Sequence, residues 1–370
     1  MLTTLLGGLT PAQFLADYWQ KKPLLIRQAI PGFTGTLRKT ELFDLARSPD
    51  VESRLIRHTE SEWSVTHGPQ RAADLKGKRD PWTVLVQGVN LFVPDADRLL
   101  HSFDFIPQAR LDDLMVSYAV DGGGVGPHFD HYDVFLLQGM GRRHWRIGDQ
   151  ADRSLIEGAP LRILKHFAPT EDWILEPGDM LYLPPHYAHD GVAVGECMTY
   201  SIGFRTPTGT ELGHQFLGYL QDQLSLNGVY ADPGLTPPDH SAEIGPAMID
   251  QVADMLANIR WDRVQVADFL GRHLTEPKPH VFFEPPEEPL SPRAFAAQVK
   301  NGGFRLDARS LLLFQGEHFY LNGEPADVPA AEFDAIRYLA DHRALPSIAA
   351  SPALATCLYN WYCDGFGTPG

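Results

Sequence analysis

Two segments that lie far apart in the chain carry the side-chain types that bind metal ions. In the glycine-rich segment Gly122–Asp130, His128 and Asp130 stand two residues apart. Alternate residues of a β-strand share one face, so both side chains can reach the same ion. The second segment, Pro177–His189, has a Pro-Gly-Asp turn, an apolar run and a Pro-Pro pair before His189. A barrel of strands would bring His189 opposite the first pair.

The spacing within these segments resembles the two sequence motifs of the cupin superfamily. Five residues separate Gly122 from His128, and five separate Gly178 from Pro184. A cupin with four ligands also has a glutamate after the first pair, and Val134 occupies that position in this chain. The resemblance therefore implies two histidines, one carboxylate and open coordination positions, as in non-haem Fe(II) oxygenases.

Other histidines lie close enough in the sequence to compete as ligands. His131 falls on the strand face opposite His128, and His186 lies too early in the second motif. We expect structural or supporting roles for four histidines, namely His131, His144, His166 and His186. Two imidazoles and a carboxylate also suit zinc, so a zinc hydrolase is an alternative at this point.

Longer stretches resemble a particular group within this superfamily. Residues 14–25, which include the run Tyr-Trp-x-Lys-Lys-Pro-Leu-Leu, are similar to the opening of JmjC-type hydroxylases. Residues 122–133, 138–145 and 177–191 resemble the bacterial ribosomal oxygenases of that type, and the resemblance extends over the whole chain. It implies a protein hydroxylase that uses Fe(II), 2-oxoglutarate and dioxygen and releases succinate and CO2. It also implies an arginine of a large-subunit ribosomal protein as the target.

An iron centre of this kind needs an electron-donating co-substrate. The distal carboxylate of 2-oxoglutarate would need a buried cation, and an arginine fork can bind it with two hydrogen bonds. Arg143 and Trp145 share one face of their predicted strand. The family pattern, a basic residue two positions before a tryptophan, selects Arg143, and Ser117 is its expected hydroxyl partner.

The identity of the modified residue is less constrained than the chemistry. A histidyl hydroxylase or a lysine demethylase would use the same iron centre, and a cupin that only binds a metal or a ligand is a non-catalytic alternative. A guanidinium substrate would favour acidic or aromatic walls. Candidate substrate-binding residues that lie close to the predicted ligands are Asp121, Tyr132 and Asp133.

The elements around the motifs predict a mixed α/β fold. Short β-like runs fill residues 114–204 and are typical of a barrel or sandwich, and helically spaced apolar residues follow. With the resemblance, this pattern predicts a double-stranded β-helix of the cupin/JmjC jelly-roll type. The expected parts are a catalytic domain with N-terminal helical elements (1–207), a helical dimerisation region (208–276), a Pro/Glu-rich linker (277–289) and a small winged-helix-like α+β domain (290–370).

Composition limits the partners. The 370-residue chain has a formal net charge of −16, which argues against nucleic acid and permits a basic ribosomal protein as partner. Three scattered cysteines make no disulfide framework, and no apolar run approaches the ~20 residues of a membrane span. We therefore expect a cytoplasmic protein that contacts neither nucleic acid nor membrane, and the resemblance implies a homodimer.

Overall fold

The computed structural model describes residues 2–59, 62–77 and 80–370. The described residues before position 102 contain four α-helices: α1 (Leu2–Leu5), α2 (Pro11–Asp17), α3 (Lys39–Arg47) and α4 (Pro94–His101). α2 begins where the sequence predicts a helix, because the Thr10 hydroxyl accepts the N–H of Gln13 and the Gln13 side chain accepts the N–H of Thr10. This capping box, with Pro11 in the first turn, determines where the chain turns into the helix.

The central part of the chain forms two antiparallel sheets. The larger has the strand order β1-β10-β7-β12-β5-β4-β2-β3, and the smaller has the order β6-β11-β8-β9. Together they form the predicted double-stranded β-helix. The strands are β1 (Leu24–Ile26), β2 (Ser53–His58), β3 (Trp63–His67), β4 (Trp82–Val86), β5 (Leu111–Ala119), β6 (His128–Phe129), β7 (Val134–Gln138), β8 (Arg142–Gly148), β9 (Glu171–Leu175), β10 (Met180–Leu183), β11 (Ala188–Val194) and β12 (Cys197–Phe204).

Alternation along β7 divides the hydrophobic core into two layers. Val134 and Leu136 pack with Trp145 of the smaller sheet in the barrel interior. Phe135, on the opposite face, packs against Phe14 of α2 with the ring centroids 5.5 Å apart. The period-two pattern thus sends one set of side chains towards the cavity and the other towards the N-terminal helices.

Several strands of the barrel lie outside the sequence prediction. β2, β3 and β4 extend the larger sheet, whereas the expectation for this part of the chain included no strands between residues 28 and 113. β4 is buried along its whole length, so it lacks the alternation that marks a half-buried strand. β6 and β11 are weakly marked in the sequence, because β6 has only two residues and β11 contains Asp190 and Gly191, whose residue types are depleted in strands.

The helical region follows the barrel at the predicted positions, as α5 (Gly209–Gln223), α6 (Pro246–Leu256) and α7 (Arg263–Thr275). α7 packs against the C-terminal part of the chain at Gly271, where a Cβ atom would lie 2.3 Å from the ring of Tyr320. Glycine at this position therefore allows the close contact. None of the helices in the described ranges is long and apolar enough to cross a membrane.

The C-terminal part is a small α+β unit with its own core. Leu358, Trp361 and Tyr362 are buried in this core. The elements are α8 (Pro292–Gly302), β13 (Phe304–Leu306), β14 (Leu312–Gln315), β15 (His318–Leu321), β16 (Glu324–Ala326), α9 (Phe333–His342), β17 (Ala344–Leu345), α10 (Pro352–Cys363) and β18 (Gly367–Pro369).

Candidate metal centre and its cavity

The three predicted ligands converge at one end of the smaller sheet. β6 and β11 pair so that His128 stands directly opposite His189, and their ring centroids lie 4.2 Å apart. The Asp130 carboxylate lies 3.8 Å from Nε2 of His128 and 3.5 Å from Nε2 of His189. One potential ligand atom from each residue lies within 4.8 Å of the others, which is close enough for all three to bind a single ion.

Backbone carbonyls orient both imidazoles. Nδ1 of His128 lies 2.8 Å from the carbonyl oxygen of Gly126, and Nδ1 of His189 lies 3.0 Å from that of Tyr187. A carbonyl can only accept, so each Nδ1 carries a proton, and each Nε2 is directed towards the cluster, where it can bind an ion once it has lost its own proton. Gly126 has a φ of +79°, and a Cβ atom there would lie 2.9 Å from the ring of Trp63, so this carbonyl position requires glycine.

The electrostatics of the cluster favour a cation. Burial lowers the pKa of His128, and the neighbouring His189 lowers it further. Burial also opposes the charge on Asp130, but the hydrogen bond and positive charge of His189 outweigh it and hold the Asp130 pKa at about 2. The carboxylate is therefore ionised, and it supplies the negative charge that a divalent ion requires.

The cluster opens into a cavity of about 350 Å³ inside the barrel. Val134, which stands where a four-ligand cupin has glutamate, forms part of an apolar wall with Leu136. Across the part of the chain that the structure describes, the His128–Asp130–His189 set is the one group of three such side chains placed to hold an ion. A metal bound there would keep coordination positions open towards the cavity.

A buried arginine lies in the same cavity. Arg143 on β8 is 4% exposed, and its Nη2 lies 3.5 Å from Oγ of Ser117 on β5. Nη1 donates to the carbonyl of Gly191 at 3.4 Å, while Nε has no hydrogen-bond partner among the described residues. No carboxylate of these residues lies within ion-pair distance of the guanidinium. A buried cation without a counterion is costly, so this position fits the carboxylate of a bound ligand.

Of the three residues suggested for substrate binding, one lines the cavity and two do not. Tyr132 lines the cavity. Asp121 lies in a turn, where its carboxylate accepts the N–H of Gly195 at 2.7 Å. Asp133 is fully buried outside the cavity and accepts hydrogen bonds from Tyr182 at 2.6 Å and from Gln20 at 2.9 Å. The contacts of both aspartates serve the fold, and neither side chain borders the cavity.

The competing histidines do not reach the cluster. His131 and His186 lie outside the cavity, with ring centroids 5.8 Å apart. His144 faces away from the barrel interior and lies 2.8 Å from the carboxylate of Asp172. His166 is exposed, and its carbonyl accepts a hydrogen bond in the loop after β8.

Sequence reasoning missed a polar rim around the cavity. Asp113 shares a strand face with Ser117, four residues later on β5, so strand parity from Ser117 could have identified it. Its carboxylate is buried and accepts the N–H of Gly88 at 2.9 Å, and burial raises its pKa. Arg54 could not have been found this way, because β2 was not predicted. Further lining residues that were missed are Gln87, Asp112, Arg162, Thr199 and Ser201.

Two family models match separate parts of the chain. A JmjC domain model matches residues 98–212, and a ROXA-like winged helix model matches residues 258–367. The second match begins before the Pro/Glu-rich segment and includes α7, in agreement with the packing of α7 against β15.

Curated relatives and solved structures share this arrangement. The chain is 36% identical over 321 residues to the ribosomal protein uL16 3-hydroxylase of Escherichia coli, covering 85% of each protein. A probable ribosomal oxygenase of Haemophilus influenzae is 37% identical, over 68% of this chain and 61% of that protein. The structure of YcfD, a ribosomal oxygenase from Escherichia coli in complex with cobalt and 2-oxoglutarate, aligns with a TM-score of 0.82 at 33% identity, covering 97% of this chain and 98% of that one.

Proposed function

Because the chain belongs to the ribosomal oxygenases that combine a JmjC domain with a ROXA-like winged helix, we propose that it is a 2-oxoglutarate- and Fe(II)-dependent protein hydroxylase. Its proposed target is an arginine side chain of a large-subunit ribosomal protein of the uL16 type. The observation that carries the proposal is the His128–Asp130–His189 cluster, which shares one cavity with a buried arginine that lacks a counterion.

The chain's own residues would hold the iron and keep it accessible. His128 and His189 would bind through Nε2 and Asp130 through a carboxylate oxygen. When bound, Fe(II) with 2-oxoglutarate activates dioxygen, releases succinate and CO2 and supplies the oxidant for an unreactive C–H bond. The protein fixes the two imidazoles through backbone carbonyls, and the apolar wall at Val134 excludes water from that side of the cavity.

We assign the distal carboxylate of 2-oxoglutarate to Arg143 and Ser117. The guanidinium can donate two hydrogen bonds to one carboxylate, and the Ser117 hydroxyl, 3.5 Å from Nη2, can donate a third. Gly191 belongs to this arrangement, because a Cβ atom there would lie 2.6 Å from the ring of Trp145. The glycine thus leaves room for the Trp145 ring, whose centroid lies 5.8 Å from the Arg143 guanidinium.

The polar rim supports a cationic substrate side chain. Asp112 and Asp113 are adjacent on β5, both border the cavity, and Tyr132 lies on the same lining. Carboxylates form strong, directional pairs with a guanidinium, and a tyrosine ring can stack on it. The net charge of −16 would also attract a basic ribosomal protein. These features favour arginine over histidine as the modified residue, and nucleic acid is not part of the proposal.

The test is oxidation of purified uL16 by the Fe(II)-loaded protein. We expect 2-oxoglutarate to be converted to succinate, together with a mass gain of one oxygen on one arginine of uL16. Site-resolved mass spectrometry locates the oxygen, and replacement of that arginine by lysine serves as the substrate control. Oxygen on a histidine would indicate a histidyl hydroxylase, and loss of a methyl group from a methylated lysine would indicate a demethylase. Absence of both turnover and 2-oxoglutarate binding would leave a non-catalytic cupin.

We further propose that the protein acts as a homodimer through α5 and α6. α6 exposes Met248, Val252 and Leu256 at i, i+4 and i+8, so these side chains form an apolar stripe along one face. A stripe of this kind marks an interaction surface, and a second copy of the chain is the partner that we expect.

Analytical ultracentrifugation tests the dimer. Changing Val252 and Leu256 together to glutamate should shift a dimeric wild-type protein to monomer, because it places charges within the apolar contact. Asp254→Asn, on the opposite face of α6, is the matched control and should stay dimeric. A monomeric wild-type protein at micromolar concentration would contradict the proposal. We also propose a cytoplasmic location, which a uL16-type substrate and the free cysteines Cys197, Cys357 and Cys363 support.

A further inference from the structure

Asp112 links the cavity rim to the C-terminal part of the chain. Its side chain is 39% exposed and borders both the active-site cavity and a smaller cleft between the barrel and the linker. Nζ of Lys278, in the Pro/Glu-rich linker, lies 3.2 Å from Oδ1 of Asp112. Nε of Arg205, just after β12, lies 3.7 Å from the same oxygen. Two cations from outside the cavity therefore hold one carboxylate on its rim.

Arg205 is itself held in place. Its Nη1 donates to the carbonyl of Leu274 at 2.9 Å, within the last turn of α7. Its backbone N–H donates to the carbonyl of Arg110, and Nε of Arg110 donates back to the carbonyl of Arg205 at 2.7 Å. Arg205 therefore joins β5, β12 and α7 beside Asp112.

Lys278 is anchored through the end of α7. The Thr275 hydroxyl, three residues before it, accepts the N–H of Gly323 at 3.0 Å from the turn between β15 and β16. Pro277 restricts the backbone immediately before Lys278. The position of the Lys278 ammonium is consequently tied to the C-terminal domain and to the barrel at the same time.

The ion pair between Lys278 and Asp112 changes the electrostatics of the cavity rim. Asp112 and Asp113 are neighbouring acids, and the charge of one carboxylate disfavours ionisation of the other. Burial raises the pKa of Asp113 and Asp112 adds to that effect, while the positive charge of Lys278 opposes it. The positive charge of Lys278 thus partly offsets the repulsion between the two carboxylates. Both lie at the entrance that a cationic substrate side chain would use.

We propose that Lys278 is a positioning residue for substrate recognition, which holds the Asp112 carboxylate on the cavity rim so that the C-terminal domain contributes to the binding of a basic protein substrate. This inference rests on the proposed hydroxylase function. It predicts that Lys278 acts on substrate affinity through Asp112, and not on 2-oxoglutarate or on the metal.

Steady-state kinetics with full-length uL16 test the role of Lys278. In Lys278→Met we expect the KM for uL16 to rise about five-fold, the effect of a partly exposed ion pair, with kcat and the KM for 2-oxoglutarate unchanged. Lys278→Arg, which keeps the charge, should restore the wild-type KM. Lys300→Met, at an exposed position near the end of α8, is the matched control and should behave as wild type.

A double-mutant cycle separates positioning from a general charge effect. In an Asp112→Asn background, Lys278→Met should cause no further rise in KM, because the partner is already neutral. An equal rise in both backgrounds, or a lower KM because a competing cation has been removed, would overturn the proposal. A fall in melting temperature with an unchanged KM would also overturn it, since the pair would then serve only the fold.

Measurement of uL16 binding distinguishes a failure of the Lys278 role from a failure of the proposed hydroxylase function. If wild-type protein binds uL16 without oxidising it, the hydroxylase proposal fails, and the dissociation constants of the same variants decide the role of Lys278. If wild-type protein oxidises uL16 and Lys278→Met does so with an unchanged KM, only the positioning role fails. If uL16 is neither bound nor oxidised, both are rejected.

Discussion

His189→Ala is expected to abolish both succinate formation and oxidation of uL16. The change removes one of three protein donors. His128 and Asp130 remain, but both come from the same segment, so no side chain of β11 would bind the ion. Loss of a supporting contact to a ligand already costs 10–100-fold in metal affinity, so loss of the ligand should weaken metal binding by more than about 100-fold. Titration of the apoprotein with Mn(II), followed by electron paramagnetic resonance, measures this directly.

His144→Ala is the matched control for that experiment. It changes the same residue type on the neighbouring strand β8, but His144 faces away from the cavity and pairs with Asp172. We expect its Mn(II) affinity and turnover to equal those of the wild type. Circular dichroism should show that both variants fold. Turnover retained in a folded His189→Ala protein would refute the assignment of the three ligands.

Arg143→Met is expected to eliminate 2-oxoglutarate binding while leaving the fold intact. Breaking a buried charge pair typically costs about 3–5 kcal/mol, which corresponds to a loss of affinity of about 150- to 4000-fold. In the ligand-free protein, however, Arg143 is a buried cation with no carboxylate partner among the described residues, so removal of its charge should not destabilise the apoprotein. Arg143→Met should therefore weaken 2-oxoglutarate binding without lowering the stability of the ligand-free protein. That combination identifies a charge that serves the ligand and not the fold.

Thermal unfolding with Mn(II) and 2-oxoglutarate measures both effects at once. The wild type should gain melting temperature when 2-oxoglutarate is added, and Arg143→Met should not. Arg142→Met, on the exposed face of the same strand, is the matched control and should respond as the wild type does. A large loss of stability in ligand-free Arg143→Met, or undiminished stabilisation by 2-oxoglutarate, would show that Arg143 has a structural role instead.

Local patterns together with the cupin resemblance predicted the ligand set. His128 and Asp130 are two residues apart, so the alternation of side chains predicts that they share a face, and the spacing of the second cupin-like motif selects His189. The alternation that groups Arg143 with Trp145 also holds, since both are buried while Arg142 is exposed. These features depend on neighbours within a few residues, which is the range over which a single sequence is informative.

The strands that complete the barrel were harder to predict from local patterns. β4 is buried on both faces and has no polar alternation, and β6 is a two-residue strand that exists through its pairing with β11. Whether such residues form strands depends on partners distant in the sequence. This is also why Arg54 was not recognised as part of the cavity lining.

The sequence by itself predicted the metal donors, the arginine for the co-substrate and the order of barrel, helices and linker, because strand parity, turn residues and the family resemblance all act on residues close together in the chain. Only the tertiary structure decided which acids border the cavity. Asp121 and Asp133 lie close to the ligands in sequence but make structural contacts, whereas Asp112 and Asp113 reach the rim from β5. The contact of Lys278 with Asp112 spans 166 residues, and a contact of that range is created only when the chain packs.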